Sequence, residues 1–469
     1  MALHDLSLTA VLAGLDAGDF TSEELARALL ARSGRWADLN AFIALDSEAV
    51  LSAAQASDAR RRSGEKAPLL GAPLAIKDNI EVAGTATTAG TNALRSNVAV
   101  RNAPVLDPLL AAGAIVFGKA NMHELAFGCT SANAAFGEVG NPYDPDRVAG
   151  GSSGGTAAAV GARLAPAGLG SDTGGSVRIP AAFCGIVGFR PTTGRYPQAG
   201  IVPLSETRDT AGPMARRVED VRLLDGVVTG LGAAPRPALA EVRIGVPRGY
   251  FFESLDPAIA GGVEAMLERL RGYGVTLVEA DVPDLERVHK AGNFPVILFE
   301  AVRDLKAYLA SCGAGVDLDA VVDEVASPDV RDIVLPLMGE GAIAEDAYRQ
   351  AVEVHRPHLQ RLYASYFDEH RLDAMVYPTT PVLPVPIAQE QSGTLEGGNV
   401  VPAITLFDRN VSPSSNAGIP SLTMPAGVTA DGLPLSVTLD ARQGADAALL
   451  ALACAIEERE PAMPAPPDA

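Results

Sequence analysis

Two glycine-framed serines within one apolar stretch constrain this chain more than any other feature of its sequence. Residues 149–191 read AGGSSGGTAAAVGARLAPAGLGSDTGGSVRIPAAFCGIVGFRP, with Ser152 in GGSSGG and Ser176 in TGGS. The Ala-rich segment between them is long enough for one helix and one strand, so each serine is predicted at the end of an element. Glycine lets backbone N–H groups crowd together and lets a reacting carbonyl come close. The stretch therefore indicates a nucleophile beside an oxyanion cradle.

A flexible linker is the alternative interpretation, because linkers are also rich in glycine and serine. Linkers lack interleaved large apolar residues, whereas this stretch contains Val160, Leu164, Ile179 and Phe183. The pattern favours a pair of packed functional loops over a spacer.

The charge composition limits the kinds of molecule that the protein is expected to bind. The 469 residues include 37 Lys and Arg against 57 Asp and Glu, for a formal net charge of −20. The longest basic run is Arg60 to Arg62, so nucleic acid and anionic membrane surfaces are poor partners. A small neutral or weakly charged molecule is the expected substrate. No basic leader region and no long apolar window is present, and a cytoplasmic location is expected.

The cysteines give a second constraint. Four are present, at positions 129, 184, 312 and 454, in apolar surroundings and without C-x-x-C spacing. This distribution predicts buried free thiols in a reducing compartment, and neither a zinc site nor a disulfide framework.

Periodicity predicts an alternation of helices and strands. Residues 5–60 read as helices, with Thr21 and Glu24 forming a capping box. A β-α-β unit is predicted from the strand VRIGVP through a helix at 257–272 to VTLVEADVP, followed by a largely helical region at 284–370. The pattern closes with a buried strand at 373–384, a loop and short strand in SSNAGIPSLTMPAG, a further strand LPLSVTLDA that ends at 441, and a helix at about 445–458.

Lys77 ends a short apolar strand in PLLGAPLAIKDNI. A lysine in that place usually extends to solvent, so a functional role depends on what else lies near it. Downstream, residues 113–119 read G-x-x-x-x-G-K but fail as a phosphate loop, because the intervening residues are strand-like and Ala120 offers no hydroxyl. His123, a little further on, is expected to be a structural histidine.

An acyl-transfer enzyme needs a nucleophile, a base and an oxyanion hole. None of the six histidines stands at a strand end beside a carboxylate, and no G-x-S-x-G elbow is present. A lysine is the other solution for the base, and Lys77 is the candidate.

These elements together resemble the amidase signature family. The likeness is carried by GGSSGG, by GSDTGGSVRIPAAFCGIVGFRPT and by the strand lysine Lys77, and it extends over residues 68–213 and to GIPSLTMPAG near the C-terminus. The resemblance implies an α/β fold with one large mixed, mostly parallel β-sheet covered by helices on both faces. It also implies a single domain over 1–469, with N-terminal helices at 1–65, a signature core at 66–230, and at 240–469 the rest of the sheet with a helical substrate-side region.

Position by position, the resemblance assigns the chemistry. It makes Ser176 the nucleophile, Ser152 a bridging serine and Lys77 the ultimate base. It implies a cis peptide bond between Gly151 and Ser152.

The resemblance also places the backbone N–H groups of four residues in the oxyanion hole: Thr173, Gly174, Gly175 and Ser176. Three further residues support the site: Ser153 orients Lys77, and Asp172 and Arg178 hold the loop. No metal or organic cofactor is implied.

The substrate is implied by likeness alone. The segments NMHELAFGCTS and RNVSPSSNAGIPSL are most similar to the indoleacetamide and mandelamide hydrolases of this family, which implies hydrolysis of an arylacetamide such as indole-3-acetamide to the carboxylate and ammonia. Met122, Phe127 and Cys129 are candidate pocket residues, with plain core packing as an equal alternative.

Two other functions stay open. One is the glutaminase component of a tRNA-dependent amidotransferase, and the other is hydrolysis of anilides, esters or carbamates by the same serine. A small-molecule amide is the expected partner, nucleic acid and membrane are not, and a homodimer is left open.

Overall fold

The computed structural model describes residues 2–389, 392–394 and 400–467. Its centre is a single eleven-stranded sheet, accompanied by two small two-stranded sheets. The strands are, in chain order, β1 (Phe42–Ala44), β2 (Pro73–Lys77), β3 (Ile115–Ala120), β4 (Gly140–Asn141), β5 (Asp144–Val148), β6 (Ala167–Asp172), β7 (Val187–Arg190), β8 (Thr210–Ala215), β9 (Arg243–Val246), β10 (Thr276–Glu279), β11 (Ala374–Pro378), β12 (Ser392–Thr394), β13 (Val400–Pro402), β14 (Ser421–Val428) and β15 (Pro434–Asp440).

The order of strands in the large sheet is β1-β3-β2-β6-β8-β7-β14-β15-β11-β9-β10. The first six come from the N-terminal half of the chain and the last five from the C-terminal half, and the two halves meet where β7 pairs with β14. One sheet therefore draws strands from both halves of the chain. The predicted division at 65, 230 and 240 stays a prediction.

The large mixed sheet is confirmed. Its parallel pairs form two blocks, β3-β2-β6 and β11-β9-β10, while the strands between them pair antiparallel. Short connections such as the one from β14 to β15 cannot carry the crossover that a parallel pair requires.

Helices flank the sheet. They are α1 (Leu8–Ala17), α2 (Ser22–Arg35), α3 (Ser47–Arg62), α4 (Asp107–Ala111), α5 (Gly154–Gly161), α6 (Arg178–Phe183), α7 (Val218–Thr229), α8 (Arg248–Phe251), α9 (Pro257–Gly272), α10 (Leu285–Cys312), α11 (Leu318–Asp323), α12 (Pro328–Leu337), α13 (Glu345–Gln350), α14 (Arg356–His370), α15 (Ala403–Phe407), α16 (Ser412–Ala417) and α17 (Asp446–Glu457). Among the helices of the described ranges, none combines the length and the apolar character needed to cross a membrane.

The sheet is apolar on both faces, because successive residues of β2 pack into different hydrophobic clusters. Leu74 and Ile76 pack into a cluster with α7, α9 and α17, whereas Ala75 packs into a second cluster with α2 and α5. Both faces are thus covered by helices, and the end of β2 lies between two packed layers.

Several predictions that rest on short sequence patterns are confirmed. Thr21 Oγ1 accepts a hydrogen bond from Glu24 N at 3.1 Å, and the Glu24 carboxylate accepts one from Thr21 N at 2.8 Å. These two hydrogen bonds form the predicted capping box. The predicted helix at 257–272 is α9, and β9, α9 and β10 form the predicted β-α-β unit with a parallel pair. All four cysteines are free thiols; Cys312 is half-buried and the other three are buried.

Candidate active site

Lys77 stands at the C-terminal end of β2, between β3 and β6. Its side chain is fully buried. The Nζ atom donates hydrogen bonds to Ser152 Oγ at 2.7 Å and to Ser171 Oγ at 2.8 Å. The lysine and the serine that the sequence singled out as base and bridge are therefore in direct contact.

The surroundings of Lys77 favour its neutral form. Burial lowers the pKa of Lys77 to about 7, although the nearby charges of Asp172 and Asp209 act in the opposite direction. The hydrogen-bond acceptors of Nζ are two hydroxyls and, at 3.5 Å, the carbonyl of Ser171. A lysine in contact with hydroxyls at this pKa can exchange protons with them at neutral pH.

Ser152 precedes α5 and is held by the backbone around it. The Gly151–Ser152 peptide bond is cis. The Ser152 carbonyl accepts a hydrogen bond from His123 N at 3.1 Å. A Cβ at Gly155 would lie 2.4 Å from the carbonyl oxygens of Ala41 and Asn121, so only glycine permits this close approach of α5 to the backbone beyond β3.

The loop 173–177 wraps around the carboxylate of Asp172, the last residue of β6. Asp172 Oδ1 accepts from Gly175 N and Oδ2 accepts from Val177 N, both at 3.1 Å. Gly175 has φ +138°, a conformation that favours glycine. The Gly175 N–H, one of the four predicted oxyanion donors, is thus hydrogen-bonded to Asp172.

Two buried guanidinium groups fix Asp172 in turn. Arg178 donates to it through Nε and Nη2 at 3.0 Å, and Arg190 Nη1 donates at 2.9 Å. Burial raises the pKa of Asp172, but the charges of Arg178 and Arg190 outweigh burial and hold that pKa well below its usual range. Arg178 also donates to the carbonyl of Val411 and to Ser414 Oγ. The carboxylate is an ionised anchor for the loop.

Ser176 follows the Thr173-Gly174-Gly175 turn, and its carbonyl accepts from Ser153 N at 3.1 Å. This hydrogen bond joins the two serine blocks of the sequence. Ser176 is 9% exposed, whereas Ser152 is fully buried. Of the two serines, Ser176 is the one that solvent reaches.

Ser153 is linked to Lys77 through Ser171. Its Oγ donates to the carbonyl of Ser171 at 3.1 Å, and Ser171 Oγ is the hydroxyl that contacts Lys77. Asn79 Nδ2 also donates to Ser171 Oγ, at 3.0 Å. Ser171 and Asn79 were missed because each lies in an ordinary strand or turn context. The only signal for Asn79 was its place two residues after Lys77.

A cavity of about 340 Å³ opens beside Ser171 and Asn79. Ser171, Asn79 and Thr173 line its buried end, and exposed Ala199, Glu206 and Ala307 line its mouth. Small-molecule sites commonly measure about 300 to 1,000 Å³. The cavity suits a small ligand.

The lining of this cavity does not include the three predicted pocket residues. Met122 is fully buried, Phe127 packs with Leu125 and α10 to α12, and Cys129 packs in a cluster with Phe183. In the described part of the chain the cavity lining includes Ala126 but none of these three. All three side chains are buried, and none of them lines this cavity.

His123, which the sequence leads us to expect as a structural histidine, has polar groups close to both ring nitrogens. His123 is buried, its Nδ1 accepts from Ser131 N at 3.1 Å, and its Nε2 lies 3.0 Å from Asp329. Across residues 2–389, 392–394 and 400–467, no group of three or more His, Cys, Asp or Glu side chains is arranged to hold a metal ion.

Sequence comparisons find similarity over nearly the whole chain. The sequence model of the family described as Amidase matches residues 24–450. The chain is 42% identical to an indoleacetamide hydrolase of Agrobacterium vitis, over 96% of each chain. It is 42% identical to a mandelamide hydrolase of Pseudomonas putida, over 97% of this chain and 91% of that one. It is also 37% identical to one component of the glutamyl-tRNA(Gln) amidotransferase of Roseiflexus sp., over 94% of this chain and 93% of that one.

The fold agrees as well. The native peptide amidase of Stenotrophomonas maltophilia superposes with a TM-score of 0.86 at 28% identity, over 99% of each chain. The match of the family model over nearly the whole length, the relatives above 40% identity and the shared fold lead to one conclusion. This chain belongs to the amidase family and is a hydrolase of amide C–N bonds.

Proposed function

We propose that this amidase hydrolyses the carboxamide of a small arylacetamide, such as indole-3-acetamide, to the arylacetate and ammonia. Ser176 is the nucleophile, Ser152 the bridge and Lys77 the base. The observation that carries this proposal is the 2.7 Å contact between the buried Nζ of Lys77 and Ser152 Oγ. A buried lysine without a carboxylate acceptor has a physical reason to be neutral, and a neutral amine is a base.

Acylation follows from that arrangement. Neutral Lys77 takes the proton of Ser152, which takes the proton of Ser176 as the Ser176 oxygen bonds to the amide carbon. The tetrahedral intermediate then collapses: the C–N bond breaks, and the proton returns from Lys77 through Ser152 to the leaving nitrogen, which departs as ammonia. In deacylation, water attacks the ester and loses its proton to the same relay, which releases the carboxylate and restores Ser176.

The oxyanion is stabilised by backbone N–H groups of the loop that Asp172 anchors. With the Gly175 N–H engaged by that carboxylate, Thr173, Gly174 and Ser176 are the donors that we assign to the hole. Donors held rigidly in a site that excludes water stabilise developing charge more than mobile ones. The Arg178 and Arg190 contacts to Asp172 supply that rigidity.

The arylacetamide class is supported by the two hydrolases at 42% identity, whose names specify indoleacetamide and mandelamide. The cavity of about 340 Å³ is of a size for such molecules. The glutaminase component of an amidotransferase is the second candidate, favoured by the amidotransferase relative at 37% identity. Anilides, esters and carbamates are further substrates that the same acyl-enzyme route would accept.

A substrate panel tests the proposal. Purified enzyme is assayed for kcat/KM on indole-3-acetamide, mandelamide, phenylacetamide, a simple anilide and glutamine, with the Lys77→Met variant as the control for contaminating activity. We expect the arylacetamides to be preferred and the variant to be inactive on all five. Preference for glutamine would replace the arylacetamide proposal with the amidotransferase one.

A further inference from the structure

The segment ahead of β8 lies against the start of the oxyanion loop because of strand register. β6 and β8 are antiparallel, and their last matched pair is Asp172 with Thr210. In an antiparallel pair the residue after one partner lies beside the residue before the other. Thr173, the first residue of the loop, therefore meets Asp209.

Thr173 is held at two points by this segment. Its Oγ1 donates to Asp209 Oδ1 at 2.5 Å, and its carbonyl accepts from Arg208 Nε at 3.2 Å. The side chain and the backbone of Thr173 are thus fixed by consecutive residues. Neither contact uses the Thr173 N–H.

Asp209 is itself firmly placed. Its Oδ2 accepts from Leu204 N at 2.8 Å and from Ser205 N at 2.9 Å. The buried Glu300 of α10 continues the chain of contacts, since it accepts from Ser205 Oγ at 2.5 Å and from Thr207 Oγ1 at 2.9 Å. The Asp209 carboxylate, which accepts the hydrogen bond from the Thr173 hydroxyl, is therefore held by the turn at 204–209. Glu300 of the long helix α10 in turn holds that turn.

The two oxygens of Asp209 serve different parts of the molecule. The contacts of Oδ2 stay within its own turn at 204–209, as expected for a buried carboxylate that caps a turn. The Oδ1 contact crosses to Thr173, next to the residues that we assign to the oxyanion hole. A turn-capping role alone does not require that second contact.

We propose that Asp209 is a positioning residue, which through the Thr173 hydroxyl sets the orientation of the oxyanion loop. The inference rests on the proposed function, because it presumes that the backbone N–H groups of this loop receive the oxyanion. Losing a single oxyanion donor costs about 10² to 10³ in rate, and small misplacements in an active site are costly as well. Disorientation of the loop should therefore be seen in the chemical step.

The test uses Thr173→Val, which removes the hydroxyl, keeps the shape and leaves every backbone N–H in place. Thr173→Ser keeps the hydroxyl and is the rescue variant. The first readout is the rate of labelling by a fluorophosphonate, in which a serine Oγ–P bond forms, the P–F bond breaks and the phosphonyl oxygen needs the same donors. The second readout is kcat and KM for phenylacetamide.

A matched control comes from elsewhere in the chain. Thr192 is buried and its Oγ1 donates to Asp446 Oδ2 at 2.6 Å, a hydrogen bond of the same kind at the start of α17. Thr192→Val should lower thermal stability about as much as Thr173→Val does. It should leave labelling and turnover at wild-type rates.

We expect Thr173→Val to lower both the labelling rate and kcat by about 10- to 100-fold with KM within about twofold, and Thr173→Ser to recover most of the loss. Wild-type rates in Thr173→Val, or a loss confined to KM, would overturn the assignment of Asp209. A wild-type protein that the fluorophosphonate does not label would instead refute the serine mechanism itself, so the two failures are distinguishable.

Discussion

Lys77 Nζ and Ser152 Oγ are 2.7 Å apart at the end of β2, with both side chains fully buried. A second buried lysine, Lys119 at the end of β3, lies 3.2 Å from a carboxylate oxygen of Asp78. Neighbouring strands thus carry two buried amines of different kinds. One is paired with a carboxylate, and the other is hydrogen-bonded to hydroxyls.

Replacement of Lys77 by methionine should abolish turnover. The substitution keeps the length of the side chain and removes the base, and loss of a member of a catalytic relay typically costs about 10⁴-fold or more. The measurement is kcat/KM on the preferred amide. A Lys306→Met variant, altered at an exposed lysine of α10, should keep wild-type turnover. Activity of Lys77→Met within tenfold of wild type would remove Lys77 from the mechanism.

Activity should depend on pH through the same amine. Because burial lowers the pKa of Lys77 to about 7, kcat/KM should fall tenfold per unit below about pH 7 and level off above it. The opposite sign, with activity lost as pH rises through 7, would mean that the charged lysine is the active form. The profile is measured with an uncharged amide between about pH 5 and about pH 9, so that the substrate does not titrate.

The two serines should differ in their effects. Ser176→Ala removes the nucleophile and should lower kcat by about 10⁵-fold or more, whereas Ser152→Ala breaks the bridge and should lower it strongly but leave residual turnover. Circular dichroism and thermal melts establish that both variants fold. Equal turnover of Ser176→Ala and wild type, in protein free of contaminating amidase, would contradict the assignment.

Substitution of the two buried lysines should lower the free energy of unfolding by different amounts. Lys119→Met leaves the carboxylate of Asp78 buried without its partner at 3.2 Å, which should lower the free energy of unfolding by about 3 to 5 kcal/mol. Lys77→Met removes a donor from Ser152 Oγ, whereas Ser171 Oγ keeps the hydrogen bond from Asn79 Nδ2, so the expected loss is about 1 kcal/mol. Urea unfolding of both variants checks the difference. A larger loss in Lys77→Met than in Lys119→Met would show that Lys77 is the structural member of the pair.

The sequence anticipated those parts of the site that lie within one contiguous stretch. Ser152, Ser176 and the glycines between them could be read directly, and the strand lysine followed from the need for a base. Glu24 and Thr21 were found in the same way, because a capping box spans only three residues.

The rest depends on register between distant segments, which no local pattern encodes. Asp209 reaches Thr173 only because β6 pairs with β8 so that Asp172 is opposite Thr210. Ser171 reaches Lys77 only because β2 and β6 are neighbouring parallel strands with Ile76 opposite Leu169. Likewise, the way in which the segment after β3 packs, and not its composition, decides which of its residues line the cavity.

The most direct measurement of the central claim is peptide mapping by mass spectrometry of the residue that a fluorophosphonate modifies, in wild type and in Lys77→Met. The account predicts a single adduct on Ser176 in the wild-type protein and labelling slowed by orders of magnitude in the variant. An adduct on another serine, or labelling of the variant at the wild-type rate, would contradict it.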